Sequence, residues 1–170
     1  MFSRTENFQQ YIKFYPVVST IIALNVIIHV LTMVPVLGDL IFNYGAGANY
    51  LISDGQWWRF ITPMFLHSGF LHLLFNMFSL YLFGPELEKL AGKLRFLNIY
   101  FMAGLFGTVA TFLLQEASYV HVGASGAIYG LLGAFGALVY YARNTLPQLK
   151  QIILPIIVIS IIMTFLTPNI

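Results

Sequence analysis

ASYVHVGASGAIYGLLGAFGALVYYA, residues 117–142, runs for 26 residues without a charge between Glu116 and Arg143. A soluble surface helix of that length would keep a charged face toward water, and this stretch has none. About 20 apolar residues suffice to cross a hydrocarbon core roughly 30 Å thick, so the stretch reads as a membrane span. Its glycines read as packing residues: Gly126 and Gly130 form a small-xxx-small pair, continued by Gly133, Ala134 and Ala137, that lets two helix backbones approach closely.

The pattern recurs on both sides. Uncharged runs cover residues 14–38, 60–85, 96–115 and 151–170, with 25, 26, 20 and 20 residues. The 170-residue chain is 59% hydrophobic and 8% charged, against about 25% charged in a soluble domain, which excludes a water-soluble globule. Lipid offers backbone groups no partner, and no segment alternates as a barrel strand would. The fold is therefore expected to be all-α, a polytopic transmembrane helical bundle forming one domain over residues 1–170. Spans are expected near 17–37, 69–84, 95–115, 124–142 and 151–167.

Charge placement sets the orientation. With the N-terminus cytoplasmic, Arg4, Lys13, Lys89, Lys93, Arg95, Arg143 and Lys150 face inside and only Arg59 faces outside, the asymmetry that membrane insertion favours. The first apolar run is too long for a signal-peptide core and reads as a retained span. The connection from Gly38 to Ser68 then lies outside, where Tyr44, Tyr50, Trp57, Trp58, Phe60 and Phe65 suit the headgroup level. The net charge of +2 comes from scattered basic residues, which argues against a nucleic-acid partner. Without cysteine the chain has no disulfides and no thiolate ligands.

Polar groups inside a membrane are costly, so each is a functional candidate. His72 and Asn76 are four apart and share a helix face. They either satisfy each other and a neighbouring backbone, as bundle residues often do, or present two donors to a developing oxyanion. Ser125 is expected at the start of its helix, where free N–H groups point toward whatever its hydroxyl attacks. The soluble-hydrolase elbow G-x-S-x-G does not fit, because Ala127 stands two after the serine and no strand is expected before the helix. His67 reads as an interfacial polar group or a hydrogen-bond partner for the aromatic connection. His29, alone in the first span, reads as a packing or snorkelling residue. His121 precedes Ser125 by four, with Gly123 between, and is not expected to share its face. Histidines spread in this way, without HExxH or a carboxylate pair, make no metal site.

Taken in order, Trp58-Arg59 before Thr62, then His67, His72 and Asn76 in HSGFLHLLFNM, Gly84 and Glu88 in FGPELEKLAG, and GASGAIYG from Gly123 to Gly130 resemble the rhomboid family of intramembrane serine proteases. The resemblance runs from about Trp57 to Tyr129. It implies that Ser125 is the nucleophile, and that His72 and Asn76 line the oxyanion site together with the Ser125 N–H. It also implies that Tyr129 packs against the catalytic histidine, that Gly123 and Gly126 complete the serine motif, and that Trp58, Arg59 and Glu88 are structural. Neither metal nor cofactor is implied. Substrates would be single-span membrane proteins, cut near the outer face of a bacterial-type plasma membrane.

In the family pattern the general base is a histidine on a sixth span, in a setting like H-x-G-G. The sequence reaches Thr167-Pro168-Asn169-Ile170 with five expected spans, so the resemblance implies a C-terminally incomplete core that is inactive as it stands. The competing expectation is a noncatalytic rhomboid-like protein that binds transmembrane helices.

Overall fold

The computed structural model describes residues 5–141 together with Pro155 and Val158. The chain begins with α1 (Phe8–Phe14), whose start is fixed by a capping box between Asn7 and Gln10. It turns by 111° into α2 (Pro16–Thr32), where Pro16 occupies the first helical turn and needs no N–H partner. The expected span ran on to residue 37. Helix α2 stops at Thr32 because the chain approaches Pro35, whose ring disfavours helical backbone at the residue before it. Val36 follows at φ +65°, and the apolar run resumes as α3 (Leu37–Gly45).

The connection from Gly38 to Ser68 is more ordered than a loop. It contains α3, a two-residue strand β1 (Gly47–Ala48), the short helix α4 (Asn49–Ser53) and two 3-10 turns, Trp57–Phe60 and Thr62–Phe65. Strand β1 pairs antiparallel with β2 (Val120–His121), Gly47 opposite His121 and Ala48 opposite Val120. This corrects the expectation that no strand precedes the serine helix. The strand is only two residues long, and its partner comes from a segment over 70 positions away, so periodicity carried no sign of it.

Three long apolar helices follow: α5 (Phe70–Ala91), α6 (Lys93–Leu114) and α7 (Ser125–Tyr141). α5 and α6 are each long and apolar enough to cross a membrane, and α1 with α2 qualifies only as a bent pair. α5 runs seven residues past the expected end at 84, through Pro85 and Glu88, because Glu88 finds partners there. The expected span near 151–167 lies outside the described residues.

The core collects Val18 and Ile21 of α2, Leu73, Met77, Leu80 and Phe83 of α5, Phe96 and Tyr100 of α6, and Leu131 and Phe135 of α7. α6 and α7 meet through small residues. The Cα atoms of Gly104 and Gly107 lie 3.9 and 3.8 Å from the point where a Cβ on Gly126 would sit, and a Cβ on Gly130 would overlap Ala103. Gly133 departs from the expected stripe: among the described residues nothing lies within 4 Å of a Cβ placed on it.

Polar groups close the helix ends. α2 has no side-chain cap of its own, and the buried Glu88 carboxylate accepts the N–H groups of Val17 and Val18 at 3.2 and 2.9 Å. This places a negative charge on the positive end of a helix. Arg59, 2% exposed, does the reverse for α3: its guanidinium donates to the carbonyls of Asn43 and Ala46, both at 2.6 Å, and its Nε to Gln56 at 2.8 Å. Trp58 Nε1 donates to the Tyr44 carbonyl and Thr62 Oγ1 to that of Gly45. Asn49 was not singled out in the sequence. It closes α6 in the same way, donating to the carbonyl of Glu116 at 3.0 Å.

Candidate active site

Ser125 opens α7, and the first hydrogen bond of that helix runs from the Ile128 N–H to the Ala124 carbonyl at 3.0 Å. The N–H groups of Ser125, Gly126 and Ala127 therefore precede the ladder, and the positive end of the helix dipole lies at the serine. Ser125 is exposed, as is Tyr129 one turn later on the same face.

Gly123 brings the serine helix to His72. Its φ of +125° is a conformation that side chains resist, and its N–H donates to the Pro63 carbonyl at 2.8 Å, tying the segment to the second 3-10 turn. A Cβ at Gly123 would sit 2.7 Å from His72 Nε2 and 3.8 Å from Ser125 Oγ. The missing side chain thus leaves one small space bordered by the imidazole, the hydroxyl and the helix N-terminus.

His72 is half-buried on the first turn of α5, with Ser68 Oγ 3.1 Å from its Nδ1. Asn76 is buried one turn on and donates to the His72 carbonyl at 2.9 Å. His67 is 1% exposed, neither ring nitrogen has a hydrogen-bond partner among the described residues, and its ring meets that of His72 edge-on at a centroid distance of 5.0 Å. Burial first, and then the nearby His72 and His29, push its pKa down to about 3, so the ring is neutral at any physiological pH.

His29 does not snorkel: it is buried on α2, near enough to His67 to disfavour a charge there. His121 sits on β2 with its ring across Gly47, where a Cβ would not fit, and burial lowers its pKa as well. Trp58 and Arg59 hold the connection between α3 and α5 together. Glu88 lies sixteen residues beyond His72, about 24 Å along the helix, and acts on α2 instead. Among the described residues no group of three or more His, Cys, Asp or Glu could hold a metal ion.

The sequence reading missed Ser68 and the Pro63 carbonyl. A hydroxyl four residues before His72 was a signal for the first; a backbone acceptor leaves none.

The model of the Rhomboid domain family matches residues 54–170, more than half the chain. The chain belongs to the rhomboid family. Among similar proteins, the "Putative rhomboid protease YdcA" of Bacillus subtilis (strain 168) is 41% identical across 100% of this chain and 86% of its own length. The "Rhomboid protease GluP" of the same organism is 46% identical over 120 residues, covering 70% of this chain but 23% of that relative. The "Rhomboid-like protease 1" of Toxoplasma gondii is 35% identical over 95 residues, 56% of this chain and 32% of the relative. This rhomboid is an integral, multi-pass, all-α membrane protein, and its relatives support an intramembrane protease kind of function.

Proposed function

We propose that this rhomboid is a serine endopeptidase that cuts single-span membrane proteins near the outer membrane face, with Ser125 as nucleophile. The observation that carries this reading is that His72 Nε2 and Ser125 Oγ both border Gly123 at the N-terminus of α7, 2.7 and 3.8 Å from where its Cβ would sit. Ser125 Oγ attacks the substrate carbonyl carbon, and its proton goes to the histidine that the family pattern puts on a sixth span. Negative charge develops on the carbonyl oxygen. The Ser125 N–H and His72 Nε2–H are donors suited to stabilise that oxyanion by hydrogen bonds, with Asn76 behind them. The amine leaves with that proton, and water then hydrolyses the acyl-enzyme.

A peptide bond locked in a helix offers its carbonyl poorly, so substrates carry glycine or another helix-breaking residue near the cut. The excess of seven basic residues over one supports a cytoplasmic N-terminus, and with it a site opening to the outer face of a bacterial-type plasma membrane. Tyr129, exposed on the Ser125 face, is positioned to meet the base.

The test is cleavage of a single-span, glycine-containing reporter in proteoliposomes by the full-length protein and by its Ser125→Ala variant. The protein cleaves and the variant does not. Reporter binding without cleavage would favour a noncatalytic helix-binding role. Cleavage that survives Ser125→Ala would end the serine reading.

A further inference from the structure

His72 can face Ser125 in two ways. Protonated on Nε2 it is a hydrogen-bond donor to the space at Gly123; protonated on Nδ1 it turns a lone pair there and becomes an acceptor. Which nitrogen carries the proton is set by the bond the other one makes. Ser68 Oγ lies 3.1 Å from Nδ1, and Ser68 is exposed at the outer start of α5, so its oxygen can accept from water while its proton goes to the ring. The ring has little freedom to escape this contact. His67 packs edge-on against it at 5.0 Å, and Gly123 lies close beside its Nε2 edge.

We propose that Ser68 is a positioning residue for the reaction: its hydroxyl donates to His72 Nδ1 and holds the imidazole in the Nε2–H form, as a donor and not a base. The proposal rests on the protease reading for its kinetic consequence, while the tautomer itself can be read without activity. Neutral His67 supports the arrangement, because a charged ring at that contact would repel the proton shared along Ser68 and His72.

The experiment uses the full chain labelled with 15N and 13C on histidine, in detergent micelles. The chain has four histidines, and His72→Gln assigns the relevant signal. The wild type shows His72 protonated on Nε2 with Nδ1 unprotonated. Ser68→Ala gives a mixture of tautomers, and Ser68→Thr restores the single form. In reporter cleavage by the full-length protein, Ser68→Ala lowers kcat about tenfold with KM unchanged, less than the ~10²–10³ that loss of an oxyanion donor costs, and Ser68→Thr recovers it. Since Ser68 is exposed, the variant keeps its helical content. A wild-type His72 protonated on Nδ1 overturns the proposal, as does a tautomer or a kcat unmoved by Ser68→Ala. Failure of the protease reading is separate: it shows as cleavage indifferent to Ser125, whatever the tautomer.

Discussion

The Glu88 carboxylate accepts the Val18 N–H at 2.9 Å and so fastens the start of α2 to the far end of α5. The contact joins residues 70 positions apart, and both are buried. Glu88→Ala would leave two helix-start N–H groups without acceptors, a loss of about 1–3 kcal/mol for a buried unsatisfied donor. Glu88→Gln keeps an acceptor oxygen and loses less. Thermal unfolding in detergent ranks them wild type, then Gln, then Ala. An Ala variant as stable as wild type would show that the cap contributes nothing.

Two glycines of α7 separate packing from sequence pattern. Gly130 has no room for a Cβ beside Ala103, whereas a Cβ on Gly133 meets nothing within 4 Å among the described residues. Gly130→Ala forces α6 and α7 apart and destabilises by about 1–3 kcal/mol through overpacking. Gly133→Ala is neutral or slightly stabilising, since alanine is the better helix former. Equal melting temperatures for the two variants would contradict the close α6–α7 contact.

His67 makes acid stability asymmetric. In the unfolded chain it takes a proton near pH 6.5, but in the fold only near pH 3, so below about 6.5 the unfolded state binds more protons. Stability therefore falls as pH drops from 6.5 toward 3, and His67 contributes no pH dependence above that window. His67→Phe flattens this slope in unfolding measured at steps between pH 7.5 and 5, although His121, whose pKa is also lowered by burial, keeps part of it. An unchanged slope would mean that His67 is solvated.

The sequence made the helices legible wherever charge alone decided the matter, since the uncharged runs hold most of α5 and α6 and all of α7. It also singled out Ser125, His72 and Asn76, because polar residues stand out against an apolar background. What it could not carry were partners set by tertiary approach. Glu88 and Arg59 were readable as structural positions, but nothing local said that one caps α2 and the other α3. The spacing of Gly126, Gly130 and Gly133 looked like one stripe, and only the placement of α6 separates the third from the first two. The β1–β2 pair was illegible for the same reason, with two residues on each side and no period to detect.

The central claim is that Ser125 is a nucleophile beside an oxyanion site. Fluorophosphonate labelling of the full-length protein, followed by peptide mass spectrometry, tests it most directly. The adduct is expected on Ser125, absent in Ser125→Ala and formed slowly in His72→Ala. Removal of a donor of this kind typically costs about 10²–10³ in rate. An adduct on another residue, or labelling undiminished in Ser125→Ala, would contradict the account.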